Sequence, residues 1–201
     1  MKLRLFATAL AATALFSPLF AQLPPAPQPA AGPTIAAPAA PRARISPHET
    51  ISLKVDGNRV TLIYGRPYSK DPKTGAIRKI WGELVPYGKV WRTGSDEATT
   101  LITQQAIDLG GTVVPAGVYT LFTVPAADGT AQLLVNRQVG QWGVDPYDEK
   151  QEFARISLKK DTLTTQLDQF TLALEKNPAG GSVLKMAWEN TQFSVNYTVK
   201  K

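Results

Sequence analysis

The segment Ile80–Thr100 holds the densest concentration of chemically useful side chains in the chain. It carries Trp81, Tyr87, Lys89, Trp91 and Arg92 together with three carboxylates, Glu83, Asp96 and Glu97, and Arg66 precedes it. Flat aromatic faces stack on sugar rings and cations, and Arg and Lys add charge-assisted hydrogen bonds to anions. Arg66, Trp81, Tyr87, Lys89, Trp91 and Arg92 are therefore the candidate binding set. The carboxylates suggest a second chemistry, because two acids facing each other across a cleft about 5 to 10 Å wide can hydrolyse a glycoside. Asp96 and Glu97 are the catalytic candidates on that reading. Against it, acids in small domains commonly pair with nearby bases, here Lys89 or Arg92. A third reading makes Trp81 and Trp91 core plugs, with Arg66 and Arg92 tying loops together.

Other chemistries are poorly supplied. The single histidine, His48, follows Pro47, and a Ser-His-Asp set would need that edge to pack over a site. No Gly-x-Ser-x-Gly elbow is present. One His and no Cys argue against zinc, and the absence of Cys excludes disulfides, thiolate sites and a Cys nucleophile. Asp145, Asp148 and Glu149 bunch together, but their spacing matches no calcium loop and reads as a solvated acidic turn. Gly110-Gly111 is a turn and not a phosphate cradle. No metal and no cofactor are expected, and the balance leans away from an enzyme.

The N-terminus bears on where this chemistry operates. Lys2 and Arg4, the apolar run Leu5–Phe16 and the breaking segment Ser17–Ala21 read as a secretory signal peptide over residues 1–21. The apolar run falls short of the roughly 20 residues a membrane span requires. An exported protein, periplasmic or secreted, with no transmembrane segment in the mature chain is expected. Of 22 Lys and Arg, Lys2 and Arg4 fall in the leader, so the remainder carries 20 bases against 16 acids, a net charge of +4. With no run of bases, nucleic acid is not an expected partner. An envelope glycan or an anionic ligand suits the charge better. Residues 22–47 hold eight Pro and eight Ala and read as a disordered linker, partly extended polyproline helix.

Residues 48–201 must position the candidate set. Ile51, Leu53 and Val55, then Val60, Leu62 and Tyr64, alternate with polar neighbours around Asp56-Gly57-Asn58, which predicts a β-hairpin. Ala98–Thr103, Ile107–Leu109, Thr112–Val114, Val118–Val124 and Ala131–Val135 read as further strands. So do the alternating stretches at residues 154–158, 170–174, 184–188 and 193–199. Three Gly and one Pro bend Ile80–Thr100 too often for one long element. Short helical turns are possible at Ile77–Leu84 or Val144–Gln151. About nine or ten short strands with one dry and one wet face predict an all-β, antiparallel, jelly-roll-like β-sandwich, with a β-barrel as the alternative.

The run Arg78–Gly94, followed by Glu97-Ala98-Thr99-Thr100, resembles the signature of a family of bacterial exported proteins, the domain-of-unknown-function family twenty-nine-eleven. Gly65-Arg66-Pro67, Pro115–Pro125, Gln141-Trp142-Gly143 and Trp188-Glu189-Asn190-Thr191 are similar to it as well. The resemblance implies export and one β-rich domain, and brings no activity or catalytic residue with it. Members usually show Asn where this chain has Asp96.

Together these features predict an exported envelope module that binds a glycan or acidic ligand without chemistry of its own. The alternatives are a small carboxylate-dependent hydrolase and a structural or protein-interaction module.

Overall fold

The structure, a computed structural model, describes residues 43–200. The expected leader and residues 22–42 of the expected linker lie outside the described residues. Nine strands form: β1 (His48–Val55), β2 (Asn58–Gly65), β3 (Thr99–Thr103), β4 (Ile107–Leu109), β5 (Thr112–Val114), β6 (Gly117–Pro125), β7 (Ala131–Asn136), β8 (Glu152–Lys176) and β9 (Ser182–Val199). All pairings are antiparallel, in the order β1-β2-β3-β6-β7-β8-β9-β4-β5. The all-β, antiparallel expectation holds. Among the described residues the one helical element is a 3-10 turn at Glu149–Gln151, inside one of the two stretches expected to turn. No helix among the described residues is long and apolar enough to cross a membrane.

Local sequence explains most of the ladder. The β1–β2 turn places Asp56 at φ 47° and Gly57 at φ 80°, the two left-handed residues a two-residue hairpin needs. The expected strands at 154–158 and 170–174 are one strand, β8, and those at 184–188 and 193–199 are another, β9. Register shifts between Thr162 and Leu167, and again between Leu167 and Thr171, hide this continuity. Extra residues at a bulge break the period-two pattern while hydrogen bonding carries on beyond it.

β8 changes partners along its length. Its first residues pair with β7, up to Leu158 opposite Ala131, and from Lys159 onward it pairs with β9. The two ends of the ladder are thereby folded over one shared core. Leu62 and Tyr64 of β2, Leu121 of β6 and Leu133 of β7 join Leu109, Phe170, Leu172, Met186 and Trp188 in a single buried cluster. Tyr64 bridges it. Its hydroxyl accepts from the Leu172 backbone N–H at 3.0 Å and donates to Glu49 Oε2 at 2.8 Å. Burial pushes the phenol up to about 12.

Replacing Tyr64 with Phe leaves the buried Leu172 N–H without its acceptor. The expected loss is about 1–3 kcal/mol in denaturant-induced unfolding, with the slope unchanged. A Tyr64→Phe protein as stable as the parent would show that the cross-core bond contributes nothing.

Candidate functional site

The Ile80–Thr100 segment is held by its ends. Ile80 and Val85 are fully buried, and the chain between them is a tight turn closed by Val85 N–H to Ile80 O at 2.9 Å. Trp91 then exchanges two backbone hydrogen bonds of 2.8 Å with Thr123, beyond the point where β3 pairs with β6 at Thr99–Leu121. Trp91 and β3 therefore run along the same side of β6, and residues 92–98 bulge out between them. Thr93 at φ 55° and Asp96 at φ 61° are both left-handed, as is Glu189 at φ 51°, next to Trp188. For a β-branched residue such as Thr93 this is a strained conformation, and such residues cluster at sites. Thr93 is fully buried, its hydroxyl 2.8 Å from that of Thr123 and its carbonyl accepting from Thr99 Oγ1 at 2.6 Å. Asp, like Asn, tolerates the left-handed region at position 96.

This bulge forms one wall of a cleft of about 440 Å³. Trp91, Arg92, Asp96, Trp142 and Trp188 line it, together with Tyr68, Lys70, Asp71, Lys73 and Arg78 from the loop that follows β2. Two glycines permit the close packing behind the wall. A Cβ on Gly65 would lie 2.3 Å from Ser95 O, and one on Gly143 would lie 3.2 Å from an Arg92 guanidinium nitrogen. Three separate stretches of the resemblance, Gly65-Arg66-Pro67, Trp91–Thr99 and Gln141-Trp142-Gly143, thus meet at one place.

The aromatic side chains are largely committed to one another. Trp91 stacks on Trp188 at 6.0 Å and 22°, Trp81 meets both edge-on, and Phe170 lies 5.0 Å from Trp91. Trp188 is buried, whereas Trp91 and Trp81 are half-buried. Trp91 Nε1 donates to Gly94 O at 3.1 Å. The indole N–H groups of Trp81 and Trp188 are buried without an acceptor.

The charges in the cleft are uneven. Arg92 is half-buried and donates to the backbone carbonyl of Asp96 at 3.0 Å. Burial depresses its pKa, partly offset by the charge of Asp96. Arg78 donates to the carbonyls of Tyr68 and Ser69. Among the described residues, none of Lys70, Lys73, Arg78 and Arg92 has a carboxylate at salt-bridge distance. The two acids of the cleft are occupied by backbone. Asp71 accepts from Lys73 N–H at 2.9 Å and Thr74 N–H at 3.0 Å, which holds its carboxyl below the usual range. Asp96 accepts from Ser46 N–H at 3.2 Å and Ile45 N–H at 3.4 Å.

Behind this wall Glu97 latches the incoming chain. Arg44 Nε and Nη2 lie 2.8 and 2.7 Å from Glu97 Oε1, and His48 Nε2 lies 2.8 Å from Oε2. Burial pushes the Glu97 carboxyl up, but the Arg44 hydrogen bond, its own backbone N–H and the Arg44 and His48 charges together hold it below the usual range. His48 Nδ1 lies 3.0 Å from Ser46 O, so both ring nitrogens face oxygens already bound in this latch and neither faces a serine hydroxyl.

Of the sequence candidates, Trp91, Arg92 and Asp96 share the main cleft. Trp81 and Tyr87 line a smaller one of about 160 Å³ with Asp128 and Lys160. Arg66 is tied to Glu49 at 3.0 Å, Phe170 O at 3.3 Å and Thr171 Oγ1 at 3.0 Å, and joins β2 to β8. Lys89 is exposed and lines neither cleft. Sequence reasoning missed Tyr68, Lys70, Lys73, Arg78 and Trp142 as partners in the main cleft. Arg78 and Trp142 stood inside the motif blocks, which was the available signal. Among the described residues no three His, Cys, Asp or Glu side chains are placed to hold a metal ion.

Fold and cleft define a single-sheet antiparallel β domain with one aromatic cleft rich in bases. The chain belongs to the family described as Protein of unknown function (DUF2911), whose profile matches residues 46–197. No curated protein and no solved structure matches it.

The latch carries a pH-dependent prediction. Because the Glu97 pKa is depressed on folding, its contribution is present above the ordinary carboxylate range near 4.3 and is lost as pH falls through the lower folded value. Glu97→Gln should speed tryptic cleavage at the Arg44–Ile45 bond at pH 7. Its melting temperature should lie slightly below the parent's at neutral pH, with the gap closing towards about pH 3. Equal cleavage of the two proteins at pH 7 would show that Glu97 does not hold the strap.

Proposed function

We propose that this protein is an exported cell-envelope module that binds an acidic ligand, a glycan bearing acid groups or another acidic small molecule, in the Trp91–Arg92 cleft without transforming it. The observation that carries the proposal is Arg92. A guanidinium half out of water, bonded to one backbone carbonyl and to no carboxylate, is an under-compensated charge on the wall of a cleft. An anion entering there gains a charge-assisted, bidentate partner. The partly exposed face of Trp91 supplies stacking area beside it. A volume of about 440 Å³ lies within the range of small-molecule sites. Export rests on the leader-like N-terminus and the linker composition. The hydrolase reading has less support, since both carboxylates it would use are bound, Asp96 to backbone N–H groups and Glu97 to Arg44 and His48.

The test is titration of the purified protein with glucuronate and with glucose, followed by tryptophan fluorescence and calorimetry. Glucuronate should bind and glucose should bind more weakly or not at all. Arg92→Gln should lower glucuronate affinity by about tenfold or more, the equivalent of roughly 1.5–3 kcal/mol for a hydrogen bond to a charged group. Lys89→Gln should leave it unchanged. If Arg92→Gln, with a melting temperature close to the parent's, binds glucuronate as well as the parent does, the cleft is not the site.

A further inference from the structure

We infer that the ligand of this cleft carries at least two negative charges, met by Arg92 together with Lys70, Lys73 and Arg78 of the same lining. The inference rests on the binding reading above and adds the charge class of the ligand. Four bases and two acids line the cleft, leaving a net charge of +2 on its walls. The acids take their hydrogen bonds from the backbone N–H groups of Lys73 and Thr74 and of Ile45 and Ser46, and their charges, felt by Arg78 and Arg92, offset two of the four bases.

Elsewhere among the described residues the domain pairs half of its bases and leaves the other half, Lys54, Arg59 and Lys89 among them, without a carboxylate at salt-bridge distance. Arg44, Arg66, Lys79, Arg155, Lys159, Lys185 and Lys200 each hold a carboxylate within 2.6–3.3 Å. Every base of the cleft lacks such a partner. A monoanion would leave a net positive charge on the cleft lining, where Arg78 and Arg92 are half-buried and Lys70 and Lys73 are exposed. A dianion brings the walls to neutrality.

The bases also come from two separate stretches. Lys70, Lys73 and Arg78 lie on the loop that follows β2, whereas Arg92 lies on the bulge beside β6. Two dianion chemistries meet the requirement, a dicarboxylate with separated charges and a phosphomonoester with both on one group.

A ligand series with one carbon skeleton separates these outcomes: glucose, glucuronate, glucarate and glucose 6-phosphate, titrated at low and moderate salt. At least one dianion should bind about tenfold more tightly than glucuronate, with the steeper salt dependence. The double variant Lys70→Gln/Lys73→Gln removes two exposed bases without hydrogen-bond partners and leaves the fold intact. It should bring dianion affinity down towards that of glucuronate and leave glucuronate affinity nearly unchanged; Arg78→Gln should do the same. Preference for glucarate assigns separated charges to the ligand, and preference for glucose 6-phosphate assigns both to one group. Either preference supports the inference. Equal affinity for glucuronate and both dianions overturns it while leaving the anion-binding reading in place. Absence of binding by all three anions overturns both.

Discussion

A ladder of nine antiparallel strands has two faces, and it can bury one of them only by folding over itself. β8 imposes that fold. Its first residues belong to the ladder that ends in β7, and its remainder belongs to β9. The strand therefore joins the two parts of the ladder without a loop. Phe170 and Leu172, on the far part of β8, come to rest against Tyr64, Trp91 and Trp188. Remove that change of partner and there is no shared core, no aromatic cluster and no wall for the cleft.

Several local choices in and around the aromatic cluster depart from low energy. Thr93, Asp96 and Glu189 all hold left-handed backbone, and Thr93 is β-branched and buried. Two indole N–H groups lack acceptors, and Arg92 is half-buried with a depressed pKa. Each of these features opposes folding by an amount comparable to a lost hydrogen bond. They are tolerated because the packing behind them is dense, with Ile80, Val85, Phe170 and Trp188 almost wholly buried.

Much of this architecture was legible in the chain. Period-two alternation identified β1, β2 and the pieces of β8 and β9, and Asp56-Gly57-Asn58 identified the first turn. The unbroken lengths of β8 and β9 were not legible, because the bulged, Thr-rich stretch from Asp161 to Gln166 erases the alternation. Ile80–Thr100 stood out by composition, but its six-residue binding set was gathered by proximity in sequence. Folding divided that set among the main cleft, the smaller cleft, a strand tie at Arg66 and open solvent at Lys89. The partners that complete the main cleft, Arg78 and Trp142, lie on different loops. Contacts of that range cannot be read from local spacing. The same limit hid the latch, since Arg44 and Glu97 are 53 residues apart and His48 and Glu97 are nearly as far apart in sequence.

Asp96 and Glu97, the two acids that suggest catalysis in the sequence, both have partners in the segment that enters the domain. Adjacent carboxylates in a glycine-rich, aromatic segment suggest acid–base work when only the sequence is in hand. In the folded chain each is directed to the segment that enters the domain: Asp96 receives the N–H groups of Ile45 and Ser46, and Glu97 receives Arg44 and His48. The carbonyl of Asp96 meanwhile accepts from Arg92 on the cleft wall. One residue thus touches both the strap and the cleft, and Ile45 and Ser46 themselves line the cleft. The end of the Pro- and Ala-rich segment is therefore part of the cleft's rim. Any force that pulls residues 44–46 away also removes the acceptor bonds that orient Asp96, and with them the support for the Arg92 guanidinium. Attachment of the chain and shape of the cleft are coupled through a single backbone position held in the left-handed region.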